Sequence, residues 1–335
     1  ESMINKQHSI LRFTKRALAG SAVILTTLLF GGCTHSQQDY LLTEVVSMGR
    51  DSAGLEVKSA PAGDVKLTYM ERQGAENKKN ETIILVHGFS ANKDNWILFT
   101  KALDKKYHVI AVDLAGHGDS DQLLTTDYGL IKQAERLDTF LTGLGINSFH
   151  IAGNSMGGAI SAIYSLNHPE KVKSLTLIDA AGVDGDTTSE YYKSLAQGEN
   201  PLIATDEESF EYRMEITMSQ PPFLPWPLRP ALLRKTLARE DINKKIFADM
   251  VATKKQLGLN KFKQKIEMTM AKTPLPTMIM WGQDDRILDV SAAEAFKKII
   301  PHATLHIFTD VGHLPMVEIP DESADVYQKF LSTVE

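Results

Sequence analysis

Between positions 149 and 160 the chain reads Phe149-His150-Ile151-Ala152-Gly153-Asn154-Ser155-Met156-Gly157-Gly158-Ala159-Ile160: an apolar run, a glycine-flanked serine and the start of a helical stretch. Few folds accommodate that order. A strand that passes directly into a helix needs a turn so sharp that a Cβ two positions from its apex collides, and Gly153 and Gly157 stand at those positions. Gly158 and Ala159 then let the incoming helix lie close. Ser155 at the apex is pushed out of the sheet, which gives a hydroxyl the exposure it needs to attack a carbonyl. The helix start directs backbone N–H groups, chiefly that of Met156, towards the serine, where they can stabilise a developing oxyanion. G-x-S-x-G alone is a weak signal. The strand before it and the helical stretch at 156–166 supply the context that gives it meaning.

The rest of the chain supplies a sheet to hold this turn. Thr82-Ile83-Ile84-Leu85-Val86 has no polar face, as expected of a central strand covered on both sides, and it ends at His87-Gly88-Phe89. Val65–Arg72 alternates as a strand, with 74–81 read as its hairpin loop. A helix at about 95–103, a buried strand at 107–112 and a helix at 129–144 follow. After Ser155, strands at Val172–Ile178, 277–281 and Thr304–Phe308 are accompanied by helices at 292–300 and 322–331. This alternation predicts an α/β fold with a mostly parallel twisted sheet flanked by helices, its core formed by residues 61–182 and 273–335.

Residues 183–272 interrupt the alternation with helical stretches and no buried strand run, and read as an inserted helical cap. Within it, Pro221-Pro222-Phe223-Leu224-Pro225-Trp226-Pro227-Leu228 is too rich in proline for a helix or strand. This stiff apolar loop either lines an acyl pocket through Phe223, Leu224 and Trp226 or straps the cap. The stripes Ile242/Ile246/Met250 and Phe262/Ile266/Met270 read as cap core, and the nearby lysine clusters as a solvated face.

The N-terminus has a different character. Lys6, Arg12, Lys15 and Arg16 precede an apolar stretch at 17–30, short for a membrane span but suited to a signal peptide. Leu29-Phe30-Gly31-Gly32-Cys33 then resembles a bacterial lipoprotein box, with Phe30 where leucine is usual. A signal peptide over 1–33, lipidation at Cys33, a tether and N-terminal segment over 34–60, and a bacterial cell-envelope location with membrane attachment are therefore expected, with ordinary secretion as the alternative. Cys33 is the one cysteine of 335 residues, which excludes an intramolecular disulfide and multi-cysteine metal sites. A formal charge of −6 gives no reason to expect nucleic acid as a partner.

A serine nucleophile needs a general base, and the base needs an acid to fix its tautomer. Among ten histidines, His313 in Asp310-Val311-Gly312-His313-Leu314-Pro315-Met316 follows the last strand, at the carboxyl edge where open parallel sheets bind ligands. His87 and His117 read as loop-shaping residues. For the acid, Trp281-Gly282-Gln283-Asp284-Asp285 offers Asp284 and Asp285, and Asp179 is a third option.

These motifs, together with His87-Gly88-Phe89-Ser90-Ala91-Asn92-Lys93-Asp94-Asn95, Asn200-Pro201-Leu202-Ile203 and Met218-Ser219-Gln220-Pro221-Pro222-Phe223-Leu224-Pro225, resemble the α/β-hydrolase fold. More narrowly the chain resembles the bacterial triacylglycerol lipases of family V and, more distantly, monoacylglycerol lipases. The resemblance implies hydrolysis of acylglycerols and simple carboxylic esters through an acyl-enzyme, with no cofactor and no metal. It also implies that Asp285, third after its glycine, is the acid and that the Phe89 N–H completes an oxyanion hole with that of Met156. Competing readings are a related hydrolase with another substrate (a carbon–carbon bond hydrolase, perhydrolase or aminopeptidase) and a non-catalytic lipid-binding envelope lipoprotein.

Overall fold

The computed structural model describes residues 33–75 and 81–334, so the expected signal segment before Cys33 lies outside the described residues. After helix α1 (His35–Ala53), eight strands alternate with helices: β1 (Glu56–Ala62), β2 (Val65–Arg72), β3 (Thr82–Val86), α2 (Ile97–Ala102), β4 (His108–Val112), α3 (Leu130–Gly143), β5 (Phe149–Asn154), α4 (Met156–Asn167) and β6 (Val172–Ile178). Five helices then intervene: α5 (Glu190–Ala196), α6 (Glu207–Thr217), α7 (Leu228–Leu237), α8 (Glu240–Leu257) and α9 (Leu259–Lys272). The sheet resumes with β7 (Thr277–Gly282), α10 (Ser291–Ile299), β8 (Thr304–Phe308), α11 (Pro315–Glu318) and α12 (Pro320–Leu331).

One sheet holds all eight strands in the order β1-β2-β4-β3-β5-β6-β7-β8, parallel from β4 through β8 and antiparallel at β1 and β2. Every residue of β3 is buried, as the apolar run Thr82-Ile83-Ile84-Leu85-Val86 requires. Each such aliphatic side chain contributes about 1.5–3 kcal/mol when removed from water. Helix α3 packs beside α4, and α12 beside α2. The parallel strands end at one edge, and their carboxyl ends carry the loops of His87, Ser155, Asp179, Asp285 and His313.

Two local expectations are corrected. β2 pairs with β1 through a turn at Gly63 (φ 74°), whereas β3 inserts between β4 and β5, so 74–81 does not close a β2–β3 hairpin. β1 escapes a pattern search because it is an edge strand, mostly exposed, with Pro61 tolerated where no ladder partner needs its N–H. The polar segment from His35, expected to be a tether, is the start of a 19-residue helix. Gln38, Leu42 and Ala53 are its buried positions.

The chain divides into two compact units, residues 49–222 with 236–335, and residues up to 48 with 223–235. The whole sheet and its carboxyl-edge loops belong to the larger unit. No helix among the described residues is long and apolar enough to cross a membrane.

Candidate active site

Ser155 joins β5 to α4 with φ 55° and ψ −120°, a backbone that L residues rarely adopt. It is held there from several sides. Its N–H donates to the Ile178 carbonyl at 3.0 Å, and its own carbonyl accepts from Gly158 at 2.9 Å and Ala181 at 3.0 Å. A Cβ on Gly157 would lie 2.3 Å from the Val86 carbonyl oxygen, and one on Gly153 would lie 2.2 Å from that of Gly157. Close approach of backbone to backbone therefore dictates both glycines.

The loop after β8 meets this turn. Asn154 donates from Nδ2 to the His313 carbonyl at 3.1 Å, so the residue beside the serine grips the backbone of the histidine. His313 Nδ1 lies 2.7 Å from Asp285 Oδ2, and both side chains are buried. Asp285 is fixed in turn, because its Oδ1 accepts from the N–H groups of Ile287 at 2.8 Å and Leu288 at 2.9 Å. With Nδ1 committed to the carboxylate, no hydrogen bond among the described residues engages Nε2. Asp284 is exposed and directs no hydrogen bond to this ring.

Asp179 is also present, fully buried, with φ 44° and its Oδ1 accepting from Gly282 N–H at 2.9 Å. One oxygen each of Asp179 and Asp285 and a ring nitrogen of His313 lie within 4.8 Å of one another. Burial, and then the Asp285 charge, push the Asp179 carboxyl well above the usual carboxylate range. Burial there favours the protonated form of Asp179, and the hydrogen bond to the imidazole is made by Asp285.

A further carboxylate, to which the sequence assigns no role of its own, organises the histidine loop. Glu318 accepts from Gly312 N–H at 3.1 Å and, across the chain, from Ser219 at 2.8 Å and Gln220 at 3.0 Å. Nothing in the local pattern of α11 announces contacts with residues about a hundred positions away.

Phe89 and Met156 bring their N–H groups to the same edge. Among the described residues no protein group accepts from either. The Phe89 loop is shaped by His87, whose Nδ1 donates to the Gly88 carbonyl at 2.7 Å while Nε2 accepts from Leu114 N–H at 3.0 Å. Both ring nitrogens are thereby used in the neutral form. Its neighbour His117 lies 4.9 Å away, ring centre to ring centre. Arg213 of α6 donates to the carbonyl of Ser90, which has φ 55°, at 2.9 Å.

Burial lowers the His87 pKa from 6.5 to about 4. Between these values the unfolded chain binds the proton that the native histidine refuses, so stability falls as pH drops through this window. The expected slope is about 1.4 kcal/mol per pH unit for each histidine so buried. Urea midpoints measured from pH 7 to pH 4 should fall less steeply for His87→Gln than for wild type; equal slopes would rule out this account.

A cavity of about 200 Å³ opens at Ser155. Met156, Ala159 and Ile163 of α4 line it, together with residues of α5, α8 and α9 and of the loops that carry Phe89, Ala181 and Ile287. Lys254 is the one basic or acidic residue in its lining. Phe262 is buried in the core and Met250 packs against it, as their reading as cap core requires, and both also line this cavity; Ile242, Ile246, Ile266 and Met270 are buried likewise. Phe223, Leu224 and Trp226 are not among the lining residues. They belong to the smaller unit, and the side chains of Phe223 and Trp226 are exposed.

A parallel sheet with a strained serine after its fifth strand and a carboxylate-bound imidazole from its last loops is the architecture of an α/β hydrolase. The chain belongs to the alpha/beta hydrolase fold family, which matches residues 81–320. It is 33% identical over 317 residues to Lipase 1 of Psychrobacter immobilis, covering 93% of this chain and 96% of that protein. It is 33% identical over 314 residues to Lipase 3 of Moraxella sp. (strain TA144), covering 91% and 95%. Among solved structures it is similar to a membrane phospholipase A, a bacterial virulence factor, with a TM-score of 0.81 and 38% identity over 96% of this chain and 98% of the other. By this likeness the chain is a hydrolase of the lipase type.

Proposed function

We propose that this protein hydrolyses the carboxylic esters of lipids, acylglycerols first, through an acyl-enzyme on Ser155. The observation that carries the reading is the His313–Asp285 hydrogen bond of 2.7 Å at the same sheet edge as a strained serine that lines an apolar cavity. Ser155 Oγ attacks the ester carbonyl as His313 takes its proton, and Asp285 stabilises the imidazolium. The oxyanion is held by the N–H groups of Phe89 and Met156, each worth about 3–4 kcal/mol in the transition state. His313 then protonates the departing alcohol, and water attacks the acyl-enzyme by the same proton transfers in reverse. The apolar cavity receives the acyl chain. Every group these steps need belongs to the chain itself, and neither a cofactor nor a metal enters the scheme.

A second reading, the acyl ester of a glycerophospholipid, is favoured by the 38% identity to a membrane phospholipase A. In either case a location at the bacterial envelope suits the substrate, with attachment through Cys33, which is partly exposed just before α1.

Labelling with a fluorophosphonate followed by peptide mapping tests the nucleophile, and fatty-acid release from monoacylglycerol, triacylglycerol and phosphatidylglycerol tests the substrate. Ser155 should be the modified residue, and glycerides should yield free fatty acid. Folded protein that takes up no label, or that takes it up and releases no acid from any of the three lipids, would overturn the proposal. Faster release from phosphatidylglycerol than from glycerides would decide for the second reading.

A further inference from the structure

The segment Phe223-Leu224-Pro225-Trp226-Pro227-Leu228 carries no charge, yet it does not bury itself. Phe223 is 88% exposed, more than any other large hydrophobic side chain among the described residues, and Trp226 is 59% exposed. In a soluble surface such a cluster loses the free energy that burying two aromatic rings provides. We infer that this loop dips into the surface of a lipid bilayer, beside the point where the N-terminus of the chain meets the membrane.

The position of the loop identifies this occupant. The helix that follows it, α7, is fastened through Arg234 to the first turn of α1, with bonds to Gln38 Oε1 at 2.7 Å and the His35 carbonyl at 3.2 Å and an ion pair to Asp39. Gln38 in turn donates to the Cys33 carbonyl at 3.3 Å. The aromatic loop thus belongs to the same compact unit as Cys33, immediately after the apolar 17–30 stretch. Whether that stretch or an acyl group on Cys33 supplies the anchor, the bilayer lies at this end of the unit, and the inference rests on that attachment.

The chemistry of the loop fits the bilayer interface. Tryptophan favours the headgroup level, where its ring is apolar and its N–H stays wet. Pro225 and Pro227 have no N–H to leave unsatisfied in a poorly hydrated layer. Arg229, exposed just beyond the loop, suits the anionic headgroups next to it.

The three tryptophans make the test direct, because Trp96 and Trp281 are fully buried and only Trp226 is open to solvent. The full-length chain is reconstituted into phosphatidylglycerol/phosphatidylethanolamine vesicles, with and without acyl chains brominated near the headgroup. The emission of Trp226 should shift to the blue, brominated lipid should quench it, and acrylamide should lose access to it; Trp226→Phe should abolish all three changes. Co-sedimentation with the vesicles reports attachment separately, and fluorophosphonate labelling reports the hydrolase site separately. Protein that sediments while Trp226 stays open to acrylamide and blind to bromine would overturn the inference, and protein that stays in the supernatant would overturn it together with the anchor. Shielding that rises with protein concentration and ignores bromine would assign the loop to a second copy of the chain and overturn it equally.

Discussion

Ser155→Ala is expected to lower ester turnover by about a millionfold while leaving the melting temperature near that of wild type. The size of the effect follows from the division of labour. Without the hydroxyl, His313 has no proton to withdraw and Asp285 no imidazolium to stabilise, so one substitution removes the contribution of all three groups. What remains is the oxyanion contact and the binding of the acyl chain. Stability should hardly change, because the turn is kept by backbone contacts: the N–H and carbonyl of residue 155 bond to Ile178, Gly158 and Ala181 whatever its side chain. Alanine also tolerates the φ of 55° no worse than serine does. Initial rates on a soluble p-nitrophenyl ester, with a thermal melt of the same sample, check both halves. A loss of only tenfold would mean that another group attacks the ester.

The turn around Ser155 was legible in the sequence because it answers to short-range geometry: the clash that a Cβ on Gly153 meets at the Gly157 carbonyl is the direct result of folding a strand back against a helix. The central strands were legible for a similar reason, since an all-apolar run such as Thr82–Val86 has only one stable environment. What escaped depends on partners distant in the chain. β1 is an exposed edge strand recognisable by its pairing with β2, Arg213 reaches Ser90 across 123 positions, and Glu318 reaches Ser219 across 99. The cap stripes show a third limit. Periodicity marks Met250 and Phe262 as covered, but it cannot distinguish a neighbouring side chain from a cavity as the cover.

The acid is the point on which residue chemistry alone left three candidates, and substitution to asparagine separates them. Asp285→Asn should lower kcat by about ten-thousandfold. Its amide can no longer accept from His313 Nδ1 without giving up a bond to Ile287 or Leu288, so the ring loses the tautomer that leaves Nε2 basic. Asp284→Asn should leave the rate unchanged, since that side chain is exposed. Asp179→Asn is the informative case. A carboxyl whose protonated form is favoured by burial resembles an amide: the asparagine oxygen can still accept from Gly282 N–H, and the second oxygen of Asp179, which has no hydrogen-bond partner among the described residues, has no bond to lose. The rate should therefore stay near that of wild type. An ionised Asp179 serving as the partner of His313 predicts the reverse, a collapse for Asp179→Asn and a mild effect for Asp285→Asn. Measuring kcat for the three variants at neutral pH distinguishes the two arrangements, because the substitution that collapses the rate marks the carboxylate that holds the imidazole.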